Sequence, residues 1–274
     1  MAEDLLLGFV RTDRDGTSTD FPYSSAYEPE EIDDDEARIA LGTAEATLSD
    51  GEYQSSLVRA EPRSLALKWL LTDTTLTGLQ AKLDALTRAH PMGAEGKLYR
   101  KVLEGATVLS NRYLPCRVAG RIKRSDEGLP YCRVTVLLRS GRPYWYEDSV
   151  TGTTIPRTQS LSSGGNAITP GGNELVLPTY TFVVSSTGTD GYLTLTESVF
   201  GKSFRLTPPT TGTVTIDMDQ VPPTARRSGD NVIGEISGEL FALLPTAQTL
   251  TLTLVSGLTL SSASVAWRRR YSHA

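Results

Sequence analysis

Histidine and cysteine, the side chains most used for metal binding and nucleophilic chemistry, are nearly absent from this sequence of 274 residues. His90 and His273 are the only histidines, which argues against a histidine metal site. Cys116 and Cys132 are the only cysteines, and their spacing fits no zinc-binding pattern. Both lie in strand-like runs, which predicts buried free thiols. A disulfide between them is the alternative, and the sequence does not decide between the two.

Catalytic motifs are missing as well. A glycosidase needs two carboxylates beside a cleft, whereas Asp217 and Asp219 follow a strand-like run at a turn, where aspartate is common. No G-x-S-x-G motif lies near either histidine, as a serine hydrolase would require. The runs "SSGGN" and "TPGGN" lack the Gly-Lys-Ser/Thr of a phosphate-binding loop. The sequence therefore predicts a protein that is not an enzyme and uses no cofactor.

Long apolar runs do not occur. No stretch approaches the roughly 20 apolar residues of a membrane-spanning helix. The first residues, "MAEDLLLGFV", combine an acidic start with a short apolar run, which does not fit a signal peptide. We therefore expect a chain that has no membrane contact and is made and kept, or assembled, in a cytoplasm.

Positive charge is in deficit, and the charge is unevenly distributed. The net charge is −5, which argues against a general nucleic-acid binder because such proteins carry a basic field. Residues 28–36 (EPEEIDDDE) hold seven acids in nine positions. Three interpretations remain open: a solvated loop, a calcium loop that lacks the usual Asp/Asn-Gly pattern, or an acidic surface that meets a basic patch of a neighbouring subunit.

The composition and the apolar–polar pattern of the sequence are typical of a mainly β protein. Thr, Ser, Val and Leu are abundant, and short apolar–polar alternations recur between turn residues. In "SLALKWLL", Leu65, Leu67 and Trp69 occupy alternate positions, which predicts a strand with one buried face.

One helix is predicted near residues 75–89. Asp73, Thr74 and Thr75 are candidate N-caps, and the pair His90-Pro91 ends the pattern because a residue before proline disfavours the helical conformation. Four leucines repeat at helical spacing and are expected to pack on a sheet: Leu76, Leu79, Leu83 and Leu86.

The chain is expected to contain two domains. Residues 151–173 are rich in Ser, Thr and Gly, which predicts a linker between a domain at 1–150 and another at 174–274. The second domain contains eight strand-like runs: "ELVLP", "YTFVVSS", "YLTLTES", "SFRLTP", "TVTIDMD", "ELFALLP", "LTLTLVS" and "SVAWRRRY". Short strands at this spacing predict an antiparallel β-sandwich or jelly roll.

Three sets of residues are candidates for contact surfaces. A predicted hairpin carries basic residues on its outer side, for which a solvated or subunit-facing surface fits better than nucleic acid because no aromatic stacking platform is interleaved: Arg117, Arg121, Lys123, Arg133 and Arg139. Tyr144, Trp145 and Tyr146 fit either a strand end that caps the core or an exposed contact patch. At the other end, Trp267 is expected to anchor the last strand, with Arg268, Arg269 and Arg270 at its exposed end.

These patterns together resemble the distal tail protein family of long-tailed bacteriophages with non-contractile tails. In the first half, "YQSSLVRAEPRSLALKWLL" is followed by one helix, further strands and the close "GRPYWYED". In the second half, "GTVTIDMD" and "GELFALLP" precede alternating hydrophobic residues and a final "VAWRRRY". The sequence departs from the family after "LLP", where Thr246-Ala247-Gln248 stands in place of the Gly-Asn often found in relatives.

The resemblance implies an N-terminal ring-forming β domain with one α-helix and a C-terminal galectin-like antiparallel β-sandwich. It also implies a homohexameric ring at the distal end of the tail, a virion component assembled in the host cytoplasm. Such a hub joins the tail tube protein to the tail tip or tail-associated protein, and to fibres or receptor-binding proteins. DNA passes its channel without specific binding, and a lumen lined by Arg121, Lys123 and Arg124 would contradict that expectation.

Two alternatives remain at this stage. A carbohydrate-binding module for host attachment would need an exposed aromatic platform, for which Tyr180, Tyr192 and Trp267 are the candidates. A tail tube subunit would share the ring-forming β domain but would usually lack a second sandwich.

Overall fold

The computed structural model describes residues 4–13, 16–23, 29, 31–34, 39–40, 59–60, 62–128, 131–142, 144–220 and 222–272. The chain divides into two compact units, residues 1–146 with 272–274 and residues 147–271. Strands dominate both units, and the described part of the chain has one α-helix. The expected fold class, mainly β with one helix and antiparallel sheets, is confirmed.

In its described residues the first unit has eleven strands and the helix. They are Asp4–Thr12 (β1), Ser18–Tyr23 (β2), Glu31–Asp34 (β3), Ile39–Ala40 (β4), Arg59–Ala60 (β5), Arg63–Thr72 (β6), Leu76–Ala89 (α1), Glu95–Glu104 (β7), Thr107–Val118 (β8), Lys123–Gly128 (β9), Tyr131–Ser140 (β10) and Trp145–Glu147 (β11), whose last residue belongs to the second unit. The main sheet runs in the order β2-β1-β7-β8-β10-β6-β3.

Strand β6 forms the predicted one-sided strand. It pairs antiparallel with β10 along its whole length, from Arg63↔Ser140 to Thr72↔Tyr131. Leu65, Leu67 and Trp69 are each at most 1% exposed, as the alternation predicts. Because side chains alternate between faces with a period of two, the other face of the same strands is left for solvent or partners.

The acidic segment at 28–36 is in part a strand. Residues 31–34 form β3, which pairs with β6 from Glu31↔Lys68 to Asp34↔Leu65. The loop interpretation is therefore wrong for the backbone of these four residues, because the neighbouring strand supplies their hydrogen-bonding partners. Apart from Pro29, the remainder of the segment lies outside the described residues.

Helix α1 begins and ends as the sequence predicts. The hydroxyl of Thr75 accepts a hydrogen bond from the Gly78 N–H at 3.0 Å, which makes Thr75 the N-cap. Leu79, Leu83 and Leu86 are buried, and the helix lies against β6. Leu76 is 60% exposed and does not join the stripe. As the first helical residue it has no preceding turn over which its side chain could lie.

His90, which follows the helix, is a structural residue and is 1% exposed. Its Nδ1 lies 3.0 Å from the Leu86 carbonyl oxygen, which can only accept, so Nδ1 donates. Nε2 then accepts from the Tyr23 hydroxyl at 2.9 Å. The imidazole stacks on Phe9 at 4.9 Å and meets the edge of Phe21 at 5.8 Å. Burial lowers the pKa of His90 to about 4, because the charged ring would lose its hydration.

The second unit is built from twelve strands and one 3-10 turn. They are Arg157–Ser160 (β12), Gly164–Ile168 (β13), Thr179–Ser186 (β14), Tyr192–Glu197 (β15), Ser203–Leu206 (β16), Gly212–Asp217 (β17), Thr224–Arg227 (β18), Asp230–Asn231 (β19), the turn Ile233–Glu235, Ile236–Gly238 (β20), Gln248–Val255 (β21), Thr259–Trp267 (β22) and Arg270–Tyr271 (β23). Two antiparallel sheets result, β12-β22-β14-β17-β18-β19 and β13-β21-β15-β16-β20.

These two sheets form a β-sandwich with a single core. Phe182 of the first sheet meets Phe204 of the second at 6.3 Å between ring centroids, and Tyr180 meets Phe204 at 5.5 Å. All three side chains are at most 1% exposed, and the buried cluster draws on both sheets. The sandwich predicted from the strand spacing is therefore present.

Two expectations about this unit are wrong. The passage 151–173 is not a linker, because it contributes β12 and β13, which pair with β22 and β21. Asn166 holds the backbone of this stretch in place. Its side chain makes hydrogen bonds with backbone groups of Ser162, Gly164 and Leu250. The runs "ELVLP" and "ELFALLP" are not strands but irregular segments joined by one bridge, Val176↔Leu243.

We predict that His90 makes stability depend on pH. Its folded pKa of about 4 lies below that of an unfolded histidine, so the unfolded chain binds the proton first as the pH falls. The stabilisation is complete above about pH 6.5 and is lost towards pH 4, by about 3 kcal/mol. Urea unfolding gives the free energy of unfolding of the protein and of His90→Gln across this pH range. That free energy should fall less steeply with decreasing pH in the variant. An equal pH dependence of the two free energies of unfolding would contradict the lowered pKa of His90.

Candidate assembly surfaces

The described residues do not assemble a metal or nucleophile site. Among them, no group of three or more His, Cys, Asp or Glu side chains could hold a metal ion. Cys116 and Cys132 are free and buried, which confirms the predicted thiols, and burial raises the pKa of Cys116 to about 12. Asp217 accepts a hydrogen bond from the Asp219 N–H at 2.9 Å, as expected for a turn. His273 lies outside the described residues.

The aromatic run 144–146 lies largely in the interior. Trp145 is 2% exposed and Tyr146 5%, whereas Tyr144 is half-buried. Tyr146 stacks on Tyr113 with ring centroids 5.6 Å apart. Of the two interpretations left open by the sequence, this burial favours the strand end that caps the core. A contact role for the run stays a prediction that depends mainly on Tyr144.

The arginines 268–270 are directed to backbone carbonyls of the second unit. Arg268 donates to the Glu147 carbonyl at 3.1 Å, and Arg269 donates to the Pro170 carbonyl at 3.1 Å. Arg270 donates to the Leu175 carbonyl at 3.0 Å and is 8% exposed. The expectation of an exposed position is therefore wrong for Arg270, whose guanidinium is held against the backbone of the same unit. Arg268 and Arg269 keep about a third of their side-chain surface exposed.

A buried carboxylate, which the sequence reading did not identify, ties this region together. The side chain of Glu147 is 6% exposed and accepts from Arg157 Nε at 2.9 Å and from its Nη2 at 2.6 Å. Arg269 Nη1 lies 3.8 Å from the same carboxylate. Hydrogen bonding to Glu147 raises the pKa of Arg157. Glu147, Arg157 and Arg269 therefore form an internal cluster of charges, called the brace below. No local motif in the sequence indicates it, because the arginines are distant from "YWYED" in the chain.

The other basic set lies on a sheet surface of the first unit. Its five members are exposed, as predicted: Arg117, Arg121, Lys123, Arg133 and Arg139. Arg117 on β8 and Arg139 on β10 are directly opposite each other in the antiparallel register. Both line a depression of about 510 Å³ that also includes Glu95 and Arg142. The depression thus brings three arginines and one glutamate together.

The aromatic platform of a carbohydrate-binding module is not present at the three candidate residues. Tyr180 is fully buried in the sandwich core. Trp267 is 7% exposed, and its Nε1 donates to the Pro170 carbonyl at 3.1 Å, so it anchors β22 as expected. The guanidinium of Arg205 lies 3.5 Å from the ring centroid of Tyr192 and covers one face of that ring.

Comparison with known proteins identifies the fold. No protein-family model matches the chain, and no curated protein matches it. The structure is similar to the crystal structure of the SPP1 Dit (gp 19.1) protein, with a TM-score of 0.60 and 14% sequence identity, over 97% of this chain and 99% of that chain. That protein is described as a paradigm of the hub adsorption apparatus in phages that infect Gram-positive bacteria. The Dit-like fold expected from the sequence is thereby confirmed over nearly the whole length.

We predict that Glu147→Gln destabilises the second unit. The substitution removes the charge that holds Arg157 and Arg269, at a cost of roughly 2 kcal/mol for hydrogen bonds to a charged group whose donors are partly exposed. The matched control is Glu239→Gln, which breaks the exposed pair with Lys202 and should cost under about 1 kcal/mol. Urea unfolding of the three proteins measures both values. Equal small effects would show that the brace contributes nothing to stability.

Proposed function

We propose that this protein is a structural subunit of a bacteriophage tail that forms the hub at its distal end. The observation that carries the proposal is the likeness in fold to a phage hub protein across both units of the chain. The absence from the sequence of recognisable catalytic motifs is consistent with a structural role. On this account the protein is a virion component, assembled in the host cytoplasm.

In the proposed assembly, six copies form a closed ring that continues the channel of the tail tube. Rings need a head-to-tail interface in which two different surfaces of the same chain meet. The main sheet of the first unit is suited to such contacts, since β2 and β3 end its path among the described residues. An open sheet edge presents unpaired backbone groups to a neighbouring chain.

The second unit is proposed to be the galectin-like domain that holds other tail proteins. Its sandwich has a complete core of its own, so its outer faces remain for contact with the tail tip protein, fibres or receptor-binding proteins. Thr, Ser and Arg dominate those faces, as in β15 with Thr194 and Thr196. The fold alone gives no sugar-binding activity. No helix of the described residues is long and apolar enough to cross a membrane.

We predict that the purified protein assembles into rings of six chains. Sedimentation velocity over a concentration series should show a species of about six times the monomer mass, because closed symmetry favours one complete ring over intermediates. A protein that stays monomeric at the highest concentration, even with a tail tube protein present, would contradict the proposal.

We also predict that duplex DNA does not bind tightly. A channel through which DNA slides must avoid many phosphate contacts, and the chain carries a net charge of −5. Fluorescence anisotropy of a labelled duplex at about 150 mM salt should show no saturable binding in the micromolar range. Tight binding would contradict a passive channel.

A further inference from the structure

Two arginines of the first unit face each other across adjacent strands with nothing of opposite charge bound to either. Arg117 and Arg139 are directly opposite in the register of β8 and β10, and both side chains are exposed. Like charges directly opposite on a sheet repel each other. In the described part of the chain neither guanidinium has a hydrogen bond or ion pair, although Glu95 is opposite Arg117 on the other side. The pair therefore carries a cost that an anionic partner would remove.

These arginines lie in an open depression of the surface. The depression of about 510 Å³ is lined by Pro62, Pro115 and Gly141 as well as by charged residues. Its charges are Arg117, Arg139 and Arg142 against Glu95, a surplus of two positive charges. Both arginines are carried by strands inside the sheet path, so their positions are fixed before any partner arrives.

The chain itself carries a matching anionic segment. Residues 28–36 hold seven acids in nine positions, a density that repels itself without a basic partner. Strand β3, within this segment, pairs with β6, which separates it from β10 by one strand and from β8 by two. At about 4.8 Å per strand, its backbone is about 10 Å from that of Arg139 and about 14 Å from that of Arg117. Strand β3 is therefore not adjacent to either of the strands that carry the two arginines.

We propose that the depression around Arg117 and Arg139 binds the acidic segment 28–36 of a second copy of this chain. The inference rests on the proposed ring and names one of its subunit contacts. A donor segment and an acceptor depression at different places on one chain make a head-to-tail contact, which repeats from copy to copy. Charge complementarity of this kind fixes register and excludes wrong partners.

Nucleic acid fits the depression less well than the acidic segment does. Three arginines offset by Glu95 give few phosphate contacts, and the chain as a whole is acidic. A single-strand binder would also offer stacked aromatic side chains. The lining residues of the depression include none.

The first test reverses the acceptor charges. Arg117→Glu/Arg139→Glu should weaken self-association by roughly tenfold or more in sedimentation velocity, since both new carboxylates repel the segment. The matched control is Arg88→Glu/Arg226→Glu, which makes the same change in net charge at exposed arginines elsewhere. The control should stay within about twofold of the unmodified protein. Circular dichroism confirms that each variant is folded.

The second test identifies the occupant. Glu28→Lys/Glu30→Lys/Asp33→Lys/Asp35→Lys/Glu36→Lys leaves two acids beside five lysines in the segment. This variant should weaken association alone and restore it when combined with Arg117→Glu/Arg139→Glu, because the opposite charges are then exchanged. A 1:1 mixture of the two separate variants should form rings in which the variants alternate, since the acidic segment of one meets the arginines of the other and the lysines of the other meet the new glutamates. Failure of the combined variant to recover, or a depression that binds a 12-base-pair duplex at about 150 mM salt, would overturn the acidic segment as occupant.

The outcomes separate this inference from the proposed function. If the unmodified protein does not self-associate, the ring and this contact are both rejected. If it forms rings and Arg117→Glu/Arg139→Glu forms them equally well, the ring stands and the contact is rejected.

Discussion

The two-residue period of the β-strand is the constraint on which both units depend. Along β6 and β10 in the first unit, and along β14 and β15 in the second, alternate side chains enter a core and the intervening ones face outward. The buried faces carry Leu, Val, Phe and Trp, and this burial supplies most of the stabilisation. Because the core of each unit is filled in this way, contacts with other proteins are restricted to outer faces, sheet edges and loops.

Charged groups in the interior serve the fold. Glu147 holds Arg157 and Arg269, and Glu197 accepts hydrogen bonds from the backbone N–H groups of Val199, Phe200 and Lys202 to fix a turn. Each of these carboxylates is buried and hydrogen-bonded, as the cost of desolvating a charge requires. The charges left for partners are therefore on the surface, and the opposed arginines of β8 and β10 are the clearest case.

The sequence correctly predicted those elements whose conformation depends on neighbouring residues. The alternation of Leu65, Leu67 and Trp69, the N-cap Thr75 and the end of the helix at His90 all depend on neighbours within a few residues. The sequence did not predict those elements whose conformation depends on residues distant in the chain. The stretch 151–173 becomes two strands because β21 and β22 pair with it, which no Ser/Gly-rich composition reveals.

The candidate site residues also fall into those that the local sequence predicted and those that depend on distant residues. The outward direction of Arg117 and Arg139 followed from strand alternation alone. The burial of Arg270 did not, because it depends on the Leu175 carbonyl 95 positions away in the chain. The brace at Glu147 likewise joins three parts of the chain that only the folded sandwich brings together.

The central claim is that this chain is the subunit of a hub ring in a phage tail. Averaged electron-microscope images of the purified protein test that claim most directly. The account predicts closed rings of six subunits around an open channel. Images that show only single particles of monomer size, or open filaments, at every concentration would contradict it.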